Sequence, residues 1–209
     1  EGRVIIGKLS EHGIDTSGIA IVPERSTLTK IRFYGSRESL LEKSQILLQA
    51  DRGPRENLPD GVCETLTKQA MSSMRDSCAI VLSDYDKGVL DATGARALID
   101  AASDARLPVI MDPKLSGLDR SKGADVVLFE KRGLDLLSRR QMTSNLADAA
   151  KALIEEYKWG AMLVLGGIHG VTLYQAGLKP MHIPCAAPAP VQQIGLHDAA
   201  ATALATALG

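Results

Sequence analysis

Aromatic residues are scarce. One Trp, four Tyr and two Phe make up 3% of the 209 residues, too few for the base-stacking platforms of single-strand nucleic-acid binders. Neither sign of charge is in excess. The formal net charge is −1, so no global field recruits nucleic acid or an anionic membrane surface. The three cysteines, Cys63, Cys78 and Cys185, form no C-x-x-C pair, and His12, His169, His182 and His197 form no H-x-x-x-H pair. A disulfide framework and structural zinc are therefore not expected, and a reduced, cytoplasmic setting fits. No apolar run approaches bilayer-spanning length and no signal peptide is recognisable. The chain has no G-x-x-x-x-G-K-[ST], and no G-x-G-x-x-G follows its first strand-like run, so P-loop and dinucleotide-binding readings lack support.

What is present is a folded globule's composition: 45% hydrophobic and 23% charged residues, in a chain long enough for one large domain with a real core. Both ends read as cut. Val4 to Leu9 looks like the last turns of a helix stopping near Gly13, and the chain ends at Gly209 where another helix should finish. This is expected to be an internal segment of a longer fold. Ile19–Val22 and the alternating Thr27–Phe33 read as strands, with Gln45–Ala50 as a pairing partner. From about residue 60 the rhythm becomes strand, helix, strand. Val62–Arg75, Ala92–Arg106 (capped by Asp91) and 144–158 carry helical patterns. Cys78–Asp84, Pro108–Asp112, Asp125–Phe129, Ala161–Leu165 and Val171–Tyr174 read as strands. Apolar strands alternating with helices imply a parallel sheet covered on both sides, with ligands beyond the C-terminal strand ends. That rule places Asp84, Asp112, the Phe129–Lys131 corner, Gly166-Gly167 and a turn at Gly195 along one rim.

The turn at Gly195 is the richest stretch. Gly195-Leu196-His197-Asp198 opens a small-residue helix. Backbone N–H groups and the helix dipole at such a start suit a phosphate, and a neighbouring carboxylate can take a proton from an attacking hydroxyl. The plainer alternative is that Asp198 is a first-turn acid favoured by the dipole alone. Elsewhere, Ser83-Asp84-Tyr85-Asp86-Lys87-Gly88 either holds a hydroxylated substrate or is a solvated turn. The lysine of Asp112-Pro113-Lys114 either meets phosphate or is an ordinary surface lysine. Gly166-Gly167-Ile168-His169-Gly170 either brings backbone close to a ligand or is a hairpin turn.

Taken in order, several segments resemble the ribokinase-like (PfkB) carbohydrate kinases. They are Gly13–Gly18, Thr29–Arg32, Leu47–Asp51, Leu82–Leu90, Asp112-Pro113-Lys114 and Gly195–Asp198. Within that family they are most similar to the branch that phosphorylates heptose 7-phosphate on the way to ADP-heptose and lipopolysaccharide precursors. The resemblance implies a three-layer α/β/α sandwich with a mostly parallel sheet and a small β lid. It implies one domain over residues 1–209, with lid strands at about 19–51 and the core at about 60–209. ATP and Mg²⁺ are the implied cofactors and a sugar phosphate the implied small-molecule partner, with room for a homodimer through the lid.

By the same resemblance Asp198 falls at the catalytic base, and the N–H groups of Gly195, Leu196 and His197 at the anion hole. Lys131, Gly167 and Gly170 fall near the nucleotide, and Lys30, Arg32, Asp51, Asp84 and Lys87 near the sugar phosphate. The chain departs from the family in three places. His197 stands where a glycine is usual, where it would crowd a phosphate. Gln192-Gln193-Ile194 precede the turn where Asp-Val-Thr is usual. Lys131-Arg132-Gly133-Leu134 replaces an Asn-x-x-Glu that organises Mg²⁺, so no metal ligand is assigned. Two function readings follow: a sugar kinase, and a catalytically impaired pseudokinase or ligand-binding relative of the same fold.

Overall fold

The computed structural model describes residues 1–23, 25–35, 45–54, 57–143, 145–186 and 194–209. Gln192 and Gln193, together with part of the expected lid between its two strands, lie outside them. The chain divides into two compact units, Glu1–Val62 and Cys63–Gly209.

In the first unit, helix α1 (Gly2–Glu11) ends in a turn at Gly13, whose φ of 72° needs no side chain there. None of its residues is buried. Strands β1 (Thr29–Gly35) and β2 (Gln45–Arg52) pair antiparallel, with a register shift between Phe33 and Tyr34. Directly opposed residues share a face. One face therefore carries Ile31, Ala50, Phe33 and Leu48, and the other carries Lys30, Asp51, Arg32 and Gln49. The expected strand at Ile19–Val22 is not formed. That run stays irregular, with Ile21 75% exposed and no paired neighbour, because an apolar run too short to bury itself gains nothing from strand geometry alone.

The second unit is built on a six-stranded sheet in chain order: β3 (Ile80–Asp84), β4 (Val109–Pro113), β5 (Val126–Glu130), β6 (Ala161–Leu165), β7 (Val171–Gln175) and β8 (Met181–Ile183). The first four are parallel and the last two add antiparallel. This matches the expected mostly parallel sheet. Helix α2 (Val62–Ser73) leads into β3, α3 (Ala92–Ala105) joins β3 to β4, and α4 (Lys131–Arg140) and α5 (Leu146–Tyr157) join β5 to β6. Asp91 caps α3 through the Gly94 N–H at 2.6 Å, and Asn145 caps α5 through the Ala147 N–H at 2.9 Å.

The two faces of the sheet are covered unequally. Val109, Met111, Val127, Phe129, Met162 and Val164 pack one face against Ile99, Leu134, Leu153, Ile154 and Trp159. The Trp159 indole donates to the Ser121 carbonyl at 3.0 Å, tying that core to the segment after β4. On the other face Ile110 and Leu128 meet Ala201 of helix α6 (Leu196–Leu208), with Ala200, Leu204, Ala205 and Leu163 around them. Alanines let this helix lie close on the strands. Val81, on β3, remains 41% exposed. Among the described residues no helix is long and apolar enough to cross a membrane.

Candidate functional site

The parallel strands end side by side, with Ser83 opposite Asp112, Asp84 opposite Pro113, and Glu130 opposite Leu165. Helix α6 begins over this rim. Gly195 is its N-cap at φ 82°, and a Cβ there would meet nothing within 4 Å. The glycine is required by its left-handed backbone, not by space. The N–H groups of Leu196, His197 and Asp198 lie in the first turn, where no carbonyl of the helix can reach them.

His197 does not stand clear of the sheet. Its Nδ1 is 2.9 Å from Asp112 Oδ1 and its Nε2 is 3.7 Å from Glu130 Oε1. Nε2 is buried without a hydrogen-bond partner. The Asp112 hydrogen bond and the charges of Asp112 and Glu130 raise the imidazole above its ordinary value, against the opposing effects of burial and Lys114. Protonated, the ring gives one proton to Asp112 and turns the other toward Glu130. The side chain expected to crowd an anion is thus folded onto two strand ends.

Asp198, exposed in the first turn, accepts a long hydrogen bond from the Tyr85 hydroxyl at 3.4 Å. Lys114 Nζ lies 4.9 Å from the centre of the same ring. Partial burial and the charges of Asp198 and Asp112 push the Tyr85 phenol up, against a hydrogen bond with the Ser83 side chain that draws it down. Tyr85 sits between two acids that are themselves clamped. Arg120 reaches Asp84 Oδ2 and Asp86 Oδ1, each at 2.6 Å. The Asp86 N–H donates to Asp84 Oδ1 at 2.8 Å, and the Ser116 hydroxyl to Asp86 Oδ2 at 2.6 Å. The hydroxyl and the guanidinium hold Asp86 below the usual carboxylate range. Asp84 is 4% exposed, and its carboxylate faces the arginine. Lys87 points from the same loop as an exposed side chain.

At the neighbouring strand ends Gly167–His169 form a single 3₁₀ turn, and Gly166 N–H donates to the Gly170 carbonyl at 2.8 Å. Gly170 has φ 83° and ψ −154°, a region open essentially to glycine. A Cβ there would collide with the Ile183 carbonyl oxygen, so β8 accounts for this glycine. Lys131 opens α4 and pairs with Asp135 at 3.0 Å. Leu134, at the place the resemblance gives to a magnesium-organising glutamate, is 0% exposed in the core. It offers no oxygen to a metal ion. Among the described residues no group of three or more His, Cys, Asp or Glu is gathered for a metal. Lys30, Arg32 and Asp51 belong to the first unit. Lys30 pairs across the ribbon with Asp51 at 3.8 Å, and Arg32 stands opposite Gln49.

The structure therefore brings Asp198, His197, Tyr85, Asp112 and Lys114 together around one helix start. Arg120 had no signal in the sequence, since its partners lie 36 and 34 residues away. Glu130 read only as part of a corner.

No protein-family profile matches the chain. Over 208 residues, 99% of its length, it is 29% identical to the bifunctional protein HldE of Vibrio cholerae, of which it spans 41%. Among solved structures, the ribokinase of Thermotoga maritima aligns with 99% of this chain and 63% of its own at a TM-score of 0.62 and 17% identity. Ribokinase of Arabidopsis thaliana, solved with ribose and ATP, aligns with 77% and 53% at a TM-score of 0.53 and 16% identity. The fold is that of the ribokinase-like kinases, and the sequence is similar to a two-fifths portion of HldE.

Proposed function

We propose that this ribokinase-like domain is a carbohydrate kinase that transfers the γ-phosphoryl group of ATP to a hydroxyl of a sugar phosphate, heptose 7-phosphate being the expected substrate. The observation that carries the reading is Asp198, an exposed carboxylate in the first turn of a helix whose N-cap is a left-handed glycine. In this reading the hydroxyl oxygen attacks the γ-phosphorus, its proton passes to an Asp198 oxygen, and ADP leaves. The N–H groups at Gly195, Leu196 and His197 face the charge on the transferring group. Nucleotide lies between the Gly167–Gly170 turn and the Gly195 turn, with Lys131 toward its phosphates. In this reading, as the resemblance implies, Lys30, Arg32, Asp51 and Lys87 serve the sugar phosphate. Asp84 contributes by holding the loop. Mg²⁺ would arrive with ATP, neutralising its phosphates. The residues that could organise it are not supplied by Lys131 and Leu134, and no step here depends on it. A cytoplasmic enzyme of ADP-heptose synthesis, pairing through the lid, completes the reading.

Similarity to HldE over nearly the whole chain supports the substrate, and the likeness to a ribokinase solved with ribose and ATP supports the nucleotide. Transfer of phosphate from ATP to heptose 7-phosphate tests it. Asp198→Asn keeps the shape and removes the base, so turnover should fall about 100-fold or more, with ATP affinity by calorimetry nearly unchanged. Full activity in that variant would end the assignment. A second reading, a relative that binds ligand without transferring phosphate, is favoured by Leu134 in the core and by His197 in a glycine's place. Calorimetric binding of ATP by a wild type that transfers nothing would establish it.

A further inference from the structure

The loop after β3 is more heavily restrained than a surface turn needs. Asp86 holds a left-handed φ of 54° without being glycine, and Gly88 follows at 82°. A side chain there is disfavoured, and the conformation persists where its surroundings hold it. Here they do. Arg120, Ser116 and the Asp86 N–H together place four hydrogen bonds on the carboxylates of Asp84 and Asp86. Those are the residues on either side of Tyr85. None of the four bonds touches the Tyr85 side chain, yet fixing the residues on both sides fixes the Cα–Cβ direction from which its ring projects. That ring carries Lys114 against its face and directs its hydroxyl at Asp198 Oδ1.

We propose that Tyr85 is a positioning residue for Asp198, with Arg120 holding Tyr85 in place through Asp84 and Asp86. The inference rests on the reading of Asp198 as the base. Asp198 is an exposed side chain in a first helical turn, free to change rotamer. A base must sit within hydrogen-bond reach of the proton it takes, and small misplacements cost large factors in rate. The Tyr85 hydroxyl engages one carboxylate oxygen and so orients the other, which has no hydrogen bond to any described residue, for the substrate. The 3.4 Å separation is that of an unliganded contact, of the kind that tightens when substrate arrives.

Two measurements on the full chain test this. In phosphate transfer to heptose 7-phosphate, Tyr85→Phe should lower kcat about tenfold while both KM values stay within twofold. The Tyr85→Phe/Asp198→Asn double variant should be no slower than Asp198→Asn alone, since a residue acting through another adds nothing once that other is gone. Additive losses, an unchanged kcat or a loss confined to KM would overturn the proposal. Independently of activity, in protein labelled at tyrosine Cζ, the resonance that disappears in Tyr85→Phe should move in Asp198→Asn and stay fixed in Asp100→Asn. A resonance indifferent to Asp198 would also overturn it. A wild type without transfer activity but with a responsive resonance would refute the kinase reading, and with it the catalytic role given to Tyr85. An active wild type with an insensitive Tyr85→Phe would refute the positioning role alone.

Discussion

Replacing Arg120 by methionine should cost about 3 kcal/mol of stability, the lower end of what breaking a buried ion pair by removing one partner usually costs. The lower end applies because the arginine side chain is 18% exposed while that of Asp84 is 3% exposed. Water can therefore reach one side of the gap. Without the guanidinium the Asp84 carboxylate keeps only the Asp86 N–H, and Asp86 loses one of the contacts that offset its left-handed backbone. Trp159 provides the probe. It is the chain's one tryptophan, 3% exposed, and its indole donates to Ser121, the residue next to Arg120. Followed by its fluorescence, the urea midpoint should fall by about 1–1.5 M for a slope of about 2–3 kcal/mol per M. Asp84→Asn combined with Arg120→Met should recover most of the loss, because no buried charge is then stranded. Gly117→Ala offers a second route to the same effect. Its Cβ would collide with the Arg120 guanidinium, at a backbone φ of −125° that alanine itself accepts. A midpoint shift below about 0.3 M in Arg120→Met would refute the view that this clamp holds the loop.

The remaining predictions concern the helix start and the glycine turn. His197 has a folded-state pKa raised above its ordinary 6.5, so its stabilisation is fully present below that value and is lost as pH rises through the raised one. The stability difference between wild type and His197→Ala should therefore shrink from pH 6 to pH 9, and a difference independent of pH in thermal unfolding would refute the latch onto Asp112 and Glu130. Gly170→Ala should cost about 3 kcal/mol or more, combining a glycine-only backbone region with the collision against Ile183. A melting temperature within a degree or two of wild type would show that β8 yields freely.

The parallel sheet was legible because its signal is local. Val109-Ile110-Met111 and Val126-Val127-Leu128 are apolar without alternation, and only burial on both faces accounts for that. The helix start at Asp91 was equally open to reading, since a cap acts on residues two or three positions on, whereas α5, expected from 144, begins at Leu146 behind the Asn145 cap. Helix α4 was missed. Lys131-Arg132-Gly133 opens it with two charges and a glycine, and Leu134 and Leu137 give its apolar face too few repeats. Helices α3 and α5 each end one residue before the expected 106 and 158. Arg106 and Lys158 take left-handed conformations where a glycine would have marked the stop. At the site, Asp198 and the Gly195 turn could be named because motif and helix lie together. The strand-end rule put Asp112 and Glu130 on the same rim, but the contact of Tyr85 with Asp198, 113 residues apart, and the Arg120 clamp behind it, 34 and 36 residues from its partners, are encoded by no local pattern.

The distribution of charge along the rim gives Asp198 a standing that its place in a motif alone would not. Each other acid at these strand ends has a cationic partner. Asp84 and Asp86 share Arg120, Asp112 and Glu130 share His197, and Asp135, a turn into α4, has Lys131. A carboxylate so paired has an oxygen already turned to its partner and is less open to a substrate hydroxyl. Asp198 has no ion pair among the described residues and touches only a neutral hydroxyl. Its place in the first helical turn explains why an unpaired acid is tolerated there: the backbone dipole supplies what a cation would elsewhere, without blocking either oxygen. Helix capping alone would be served as well by an acid at this position wherever Tyr85 pointed. It gives no reason for a loop held in a left-handed conformation by Arg120 to deliver a hydroxyl to that carboxylate. The convergence of a dipole-stabilised unpaired acid with a clamped donor supports the proposal that Asp198 is an oriented base. The plainer view, an acid present only to satisfy a helix end, leaves the clamp unexplained.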